Sequence, residues 1–157
     1  MKRPTWDEYF IKLALLVAER STCHRHHVGA VIVRDKHILT TGYNGAPSGT
    51  KDCLELGCLR EAMGIPSGTR HEICRAIHAE QNAIIQAGLH GISIEGATLY
   101  CTHSPCILCA KMLANVRINK LITCGDYADQ SFRDLFKEVG IDFLKIDKPE
   151  LVITTLD

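Results

Sequence analysis

The chain has 157 residues, 46% hydrophobic and 23% charged, the balance of a globule with one sizeable core rather than of a disordered segment. Eighteen Lys and Arg offset eighteen Asp and Glu, so the net charge is zero; that speaks against a nucleic-acid partner, though not against a small anionic ligand. No run approaches the ~20 apolar residues of a membrane span, and Asp7 and Glu8 stand where a signal peptide would be apolar, so a cytoplasmic protein is expected, its eight cysteines reduced or metal-bound.

Trp6, Phe10, Leu13, Ala14 and Val17 recur at spacings of three and four, predicting an amphipathic helix over residues 6–20. "VGAVIVRD" reads as a buried strand and "HILTTGYN" as its partner, with Asp35 and Lys36 at the turn. From Gly45 to about Arg75 periodicity is lost and Gly, Pro and Ser are frequent, the mark of a functional or metal-stapled loop. Helix is predicted again over 77–88, ending near Gly88 or Gly91. "ATLYCT" is a strand and "SPCILCAKMLANV" a helix, with Ser104 suited to the N-cap and Pro105 to the first helical position. The strand "KLITCG", the helix "SFRDLFKEVG" and the strand "IDFLKI" complete the order. A hairpin followed by alternating helices and strands predicts an α/β protein, a three-layer α/β/α sandwich built as one domain spanning 1–157.

Cys106 and Cys109 lie three apart on one helical face, at a helix start where free N–H groups stabilise thiolates. The C-x-x-C spacing alone is weak; the context strengthens it. His78 falls in the first turn of the preceding helix. If the two helix mouths converge, one imidazole and two thiolates can hold Zn²⁺, and three protein ligands leave a position for water, as catalytic zinc sites do. Zinc brings the pKa of such a water to about 7. Glu80, two residues from His78, can then take the water's proton and hand it to a leaving group. A structural zinc knot is the competing reading; it needs a fourth ligand, for which His103 is nearest, and gives Glu80 no role.

His78-x-Glu80 with Pro105-Cys106-x-x-Cys109 resembles the signature of the zinc-dependent nucleobase deaminases. With "GYNGAPSG", "HAEQNAI" and "SPCILCAK", the chain looks most like the deoxycytidylate (dCMP) deaminases, from the first helix to about residue 124. The resemblance implies a mixed five-stranded sheet between helices, zinc on His78, Cys106 and Cys109, and Glu80 as general acid and base. It implies hydrolysis of dCMP to dUMP and ammonia, supplying dUMP for thymidylate synthesis. It also implies a homo-oligomer, commonly a hexamer, and control by dCTP and dTTP.

For the 5′-phosphate, "STCHRHHVG" offers Arg25 beside His24, His26 and His27, against the alternative of a solvated polar loop. Asn44 in "GYNG" resembles the family's sugar- and base-contacting asparagine, with Gly42 and Gly45 permitting close backbone approach; a turn asparagine is the other reading. Tyr127, after a strand, is a candidate for the phosphate end. The remaining Cys23, Cys53, Cys58, His71 and Cys74 suggest a second, structural zinc from Cys23, Cys53, His71 and Cys74; small buried thiols are the alternative. Deaminases of riboflavin precursors or tRNA adenosine share the zinc signature, and a non-catalytic zinc-stabilised interaction protein could share the fold.

Overall fold

The computed structural model describes residues 2–152, so Met1 and residues 153–157, the ends of the expected 1–157 domain, lie outside the described residues. Helix α1 (Trp6–Ala18) starts on a reciprocal cap: the Glu8 N–H donates to Thr5 Oγ1 at 3.2 Å, and the Thr5 N–H to Glu8 Oε2 at 2.6 Å. Strands β1 (Gly29–Arg34) and β2 (His37–Tyr43) form the predicted hairpin. Asp35 and Lys36 turn it at φ +51° and +62°, the doubly left-handed turn that matches the twist of paired strands.

Four-residue helices α2 (Cys53–Leu56) and α3 (Leu59–Ala62) and a 3₁₀ turn (His71–Ile73) punctuate the aperiodic segment. Asp52 caps α2, its side chain accepting from the Leu54 and Glu55 amides, a local signal too short to register as periodicity. The segment gives no residue from 46–77 to either hydrophobic cluster. It lies on the globule rather than building it.

The rest alternates as expected: α4 (Ala79–His90), β3 (Thr98–Cys101), α5 (Ile107–Asn115), β4 (Lys120–Thr123), α6 (Phe132–Val139) and β5 (Asp142–Lys145). The five strands make one mixed sheet in the order β2-β1-β3-β4-β5. β1 pairs antiparallel with both neighbours, and β3, β4 and β5 pair in parallel, so β1 alone runs against the other four.

Alternation along β1 sorts the core. Val31 and Val33 meet Phe10, Ile11 and Ala14 of α1 on one face. Ala30 and Ile32 meet Ala79, Ala83, Leu113 and Phe132 from the other three long helices on the opposite face. The three-layer sandwich is therefore α1, sheet, then α4–α5–α6. The reversal of β1 has a consequence for function: the loop entering β1 lies at the same sheet edge as the loops leaving β2, β3 and β4.

The predicted cap of α5 is corrected. Its N-cap is Cys106, not Ser104, and its first helical residue is Ile107, not Pro105. The Ser104 hydroxyl is used by the loop after β4, accepting from the Tyr127 N–H at 2.8 Å and from Gln130 Nε2 at 3.3 Å. Asp129 in that loop accepts the Ile107 N–H at 3.0 Å. A tertiary partner takes over the capping role that local sequence assigns to Ser104.

Candidate active site

His78 and Cys106 are both N-cap residues, and their backbones are nearly the same: φ −69°, ψ 156° and φ −71°, ψ 166°. Both therefore sit at the helix mouths, immediately before the first helical residue. Cys109 lies one turn into α5 and faces the same point. His78 Nδ1 is 3.5 Å from Cys106 Sγ and 3.3 Å from Cys109 Sγ. All three ligand atoms lie within 4.8 Å of one another, the only such group among the described residues.

This donor set fits zinc. A tetrahedral ion with the usual Zn–N and Zn–S bonds spaces neighbouring nitrogen and sulfur ligands by about 3.6 Å, close to what is seen. Protonation points the same way. A hydrogen bond from Cys109, with His78 beside it, brings the Cys106 thiol down to about 4, while the Cys106 thiolate pushes Cys109 up. Burial opposes a charge on His78, but the Cys106 thiolate and Glu80 outweigh it. The pocket already stabilises a thiolate, as a cation site must.

Glu80, the second residue of α4, is buried with 4% of its surface exposed, and burial raises its pKa. It lines the same cavity as His78 and Cys106. A buried carboxyl with a raised pKa beside a metal-type donor set is suited to carry a proton in both directions.

Asn44, Arg25 and Tyr127 all line this cavity, each from a different loop at the sheet edge. The Asn44 carboxamide is also a brace: its Oδ1 accepts the Val28 N–H at 3.0 Å, and its Nδ2 donates to the His26 carbonyl at 2.8 Å. It orders the loop entering β1 while lining the cavity. The expected close approach at Gly42 is to helix α4 rather than to a ligand. Arg25 Nη2 donates to the Ile65 carbonyl at 2.6 Å, and its Nε lies 3.6 Å from Glu61, so part of this guanidinium is already engaged. His24, which the sequence groups with Arg25, contacts the Cys53 carbonyl at 2.6 Å through Nε2, and His27 does not line the cavity.

The quartet Cys23, Cys53, His71 and Cys74 is not brought together as a second metal group among the described residues. The His71 ring stacks edge-on to His78 at 5.0 Å and lies 5.9 Å from Tyr127, which carries it to the main cavity. Burial raises the Cys53 thiol, and Cys58, Cys23, Cys74 and Asp52, with no histidine among them, add to the rise. His103, the fourth ligand that a structural knot would need, lines the cavity but is not a member of the metal group.

Sequence reasoning missed Arg60, His71 and Ser104 as cavity residues. None carries a local signal, because each reaches the site only through the path of a loop.

A three-layer sandwich with one imidazole and two thiolates at its helix mouths is the architecture of a zinc-dependent deaminase. The family described as the cytidine and deoxycytidylate deaminase zinc-binding region matches residues 4–124. The chain belongs to that family. It is 36% identical over 154 residues to ComE operon protein 2 of Bacillus subtilis, covering 98% of this chain and 77% of that one. It is 38% identical over 158 residues to the deoxycytidylate deaminase of Saccharomyces cerevisiae, covering 98% of this chain but only 49% of that protein, so it spans about half the yeast relative's length. The crystal structure of the cyanophage S-TIM5 dCMP deaminase in complex with dCMP and dUMP superposes with a TM-score of 0.78 at 33% identity, over 93% of this chain and 100% of that one.

Proposed function

We propose that this chain is a dCMP deaminase, hydrolysing dCMP to dUMP and ammonia as a single-domain cytoplasmic enzyme that supplies dUMP for thymidylate synthesis. The observation that carries the reading is the buried Glu80 carboxyl in one cavity with the His78, Cys106 and Cys109 donor set. The substrate assignment is supported by the relatives of that name and by the nucleotides held in the cyanophage structure.

Zinc, held by His78, Cys106 and Cys109, supplies the Lewis acidity that makes water nucleophilic near neutral pH. The protein's own groups do the rest. Replacing the C4 amino group of cytosine by oxygen moves both protons of the attacking water: the first passes to N3, and the second, from the new C4 hydroxyl, passes to the departing amine. Among the described residues, Glu80 is the single buried carboxyl, and it lines the cavity where all of these transfers take place in turn. Asn44 holds the loop entering β1 and offers its remaining amide N–H to the sugar and base. Arg25 and Tyr127 flank the phosphate end.

The same reading includes a homo-oligomer, a hexamer by family resemblance, responsive to dCTP and dTTP. The test is ammonia release from dCMP, deoxycytidine, adenosine and a riboflavin-precursor pyrimidine by zinc-loaded protein. Turnover of dCMP well above the other three supports the reading, and absence of dCMP turnover refutes it.

A further inference from the structure

Residues 46–77 contribute nothing to the hydrophobic clusters, yet two side chains there are buried: Cys53 and, with only 7% of its surface exposed, Arg60. A guanidinium is rarely buried without an anion, because losing its hydration is costly unless an opposite charge and hydrogen bonds replace the water. Arg60 has no carboxylate within 4.0 Å among the described residues. Its bond to the Pro66 carbonyl is long, 3.3 Å from Nη2, and its buried Nε has no partner among the described residues.

The surroundings indicate where the missing anion belongs. Arg60 lines the same cavity as Glu80, and Glu80 is the only carboxylate on that wall among the described residues. Arg25 lines it too, with a buried Nη1 that has no partner among them. Arg25 has Glu61 to offset its charge; Arg60 has no such group. Arg60 also acts on Tyr127: burial raises the phenol, and the nearby Arg60 charge pulls against that rise. Two guanidiniums with unused N–H groups and a phenol thus share the cavity with Glu80, complementing a ligand whose uncharged base meets the carboxyl and whose phosphate carries the negative charge.

We infer that Arg60 is the specificity-determining residue for the 5′-monophosphate, its guanidinium forming with Arg25 and Tyr127 a clamp that favours the nucleotide over the nucleoside. The inference rests on the nucleotide reading above and deepens it. The aperiodic segment then has a purpose, since α3 and the Pro66–Gly68 turn hold a cation at the cavity wall. Ser67 Oγ, 2.7 Å from His26 Nε2, ties that turn to the loop entering β1.

The test uses zinc-loaded protein and Arg60→Gln, whose amide can keep a bond to the Pro66 carbonyl. Calorimetric titration with dUMP and with deoxyuridine measures the monophosphate preference directly, and the dCMP-to-deoxycytidine ratio of kcat/KM measures it in turnover. Loss of a charge-assisted contact lowers either preference by about ten- to a hundredfold. Arg60→Lys keeps a charge but loses the planar fork, so its preference falls between the two, and it carries the test if Arg60→Gln does not fold. A variant that binds dUMP over deoxyuridine as selectively as wild type overturns the inference. Wild-type protein that shows no preference for dUMP overturns both this inference and the nucleotide reading. Wild-type protein that prefers dUMP without deaminating dCMP overturns the assigned reaction and leaves Arg60 standing.

Discussion

Gly42→Ala is the sharpest test of how the active-site helix is seated. A Cβ built on Gly42 falls 3.0 Å from the Asn82 carbonyl carbon and closer still to the Ala79 carbonyl oxygen and the Ala83 nitrogen. All three are backbone atoms of α4, so no rotamer change relieves the clash. The helix shows the sheet a face of Ala79, Ala83 and Ala87, small side chains that let it lie this close. Thr40 Oγ1 donates to the Ala83 carbonyl at 3.0 Å and Asn82 Nδ2 to the Tyr43 carbonyl at 2.7 Å, fixing the approach from both sides. Restoring ordinary contact needs a retreat of about 1 Å. Overpacking costs about 1–3 kcal/mol, and a backbone-to-backbone clash belongs at the upper end. Removing glycine's freedom in the unfolded chain returns about 0.4–1 kcal/mol. The net loss of about 2 kcal/mol corresponds to a fall in Tm of about 4–8 °C for a chain of this size. The first turn of α4 carries Glu80 and begins at His78, so the same retreat should lower kcat/KM about a hundredfold. Thermal melts and dCMP kinetics on zinc-loaded protein measure both. Gly88→Ala, in the same helix but with nothing within 4 Å of its Cβ, should instead stabilise by about 0.5–1 kcal/mol. If Gly42→Ala melts with wild type, the close seating is not what positions α4. If it melts early yet turns over normally, seating and chemistry are uncoupled.

Glu80→Gln should retain zinc and fold while losing about 10²–10⁴-fold or more in kcat, because the amide keeps the shape of the side chain but cannot carry the proton. Cys106→Ser should lose zinc and activity together; metal analysis beside the kinetics separates the two variants, and a zinc-free Glu80→Gln would make Glu80 a ligand. Thr5→Ala removes the reciprocal cap of α1 and should cost about 1 kcal/mol, read as a lower Tm with unchanged kcat/KM, since α1 lies on the face of the sheet away from α4 and α5. A loss of turnover in that variant at a temperature where it is folded would contradict the layer assignment.

The parts of this molecule legible from sequence are those written in periodicity or short spacing. The 3.6 repeat of Trp6, Phe10 and Ala14, the alternation through Val31 and Val33, and the His78–Glu80 and Cys106–Cys109 pairs each depend on neighbours within one or two turns. What failed depends on distant partners. Ser104 has the side chain of an N-cap, but the Tyr127 amide, 23 residues on, claims its hydroxyl. His71 has the donor atoms of a ligand, but the 3₁₀ turn aims its ring at His78 rather than at Cys53. Arg60 sits among exposed, aperiodic residues, and nothing in "GCLREAMG" says that it is the buried one. Asn44 orders a loop and lines the cavity together, and only the fold shows that one amide does both.

The reversal of β1 connects these observations. In an all-parallel sheet, the loop entering a strand lies at the edge opposite the loops that leave the others, and Arg25 would be the length of the sheet away from Tyr127. Running β1 backwards brings the residues before it beside Asn44 after β2, Ser104 after β3 and Tyr127 after β4, all lining one cavity. The helix starts complete the arrangement. α4 and α5 point their N-termini at that edge, so their dipoles favour negative charge where the thiolate of Cys106 forms. Guanidiniums arrive on separate segments, Arg25 on the loop before β1 and Arg60 on α3. The cavity therefore carries both signs, with the Glu80 carboxyl and the Cys106 thiolate from the helix starts and the Arg25 and Arg60 guanidiniums from the loops. A ligand with a neutral ring and a dianion is best matched when the dianion meets the guanidiniums, which leaves the ring, rather than the phosphate, for Glu80.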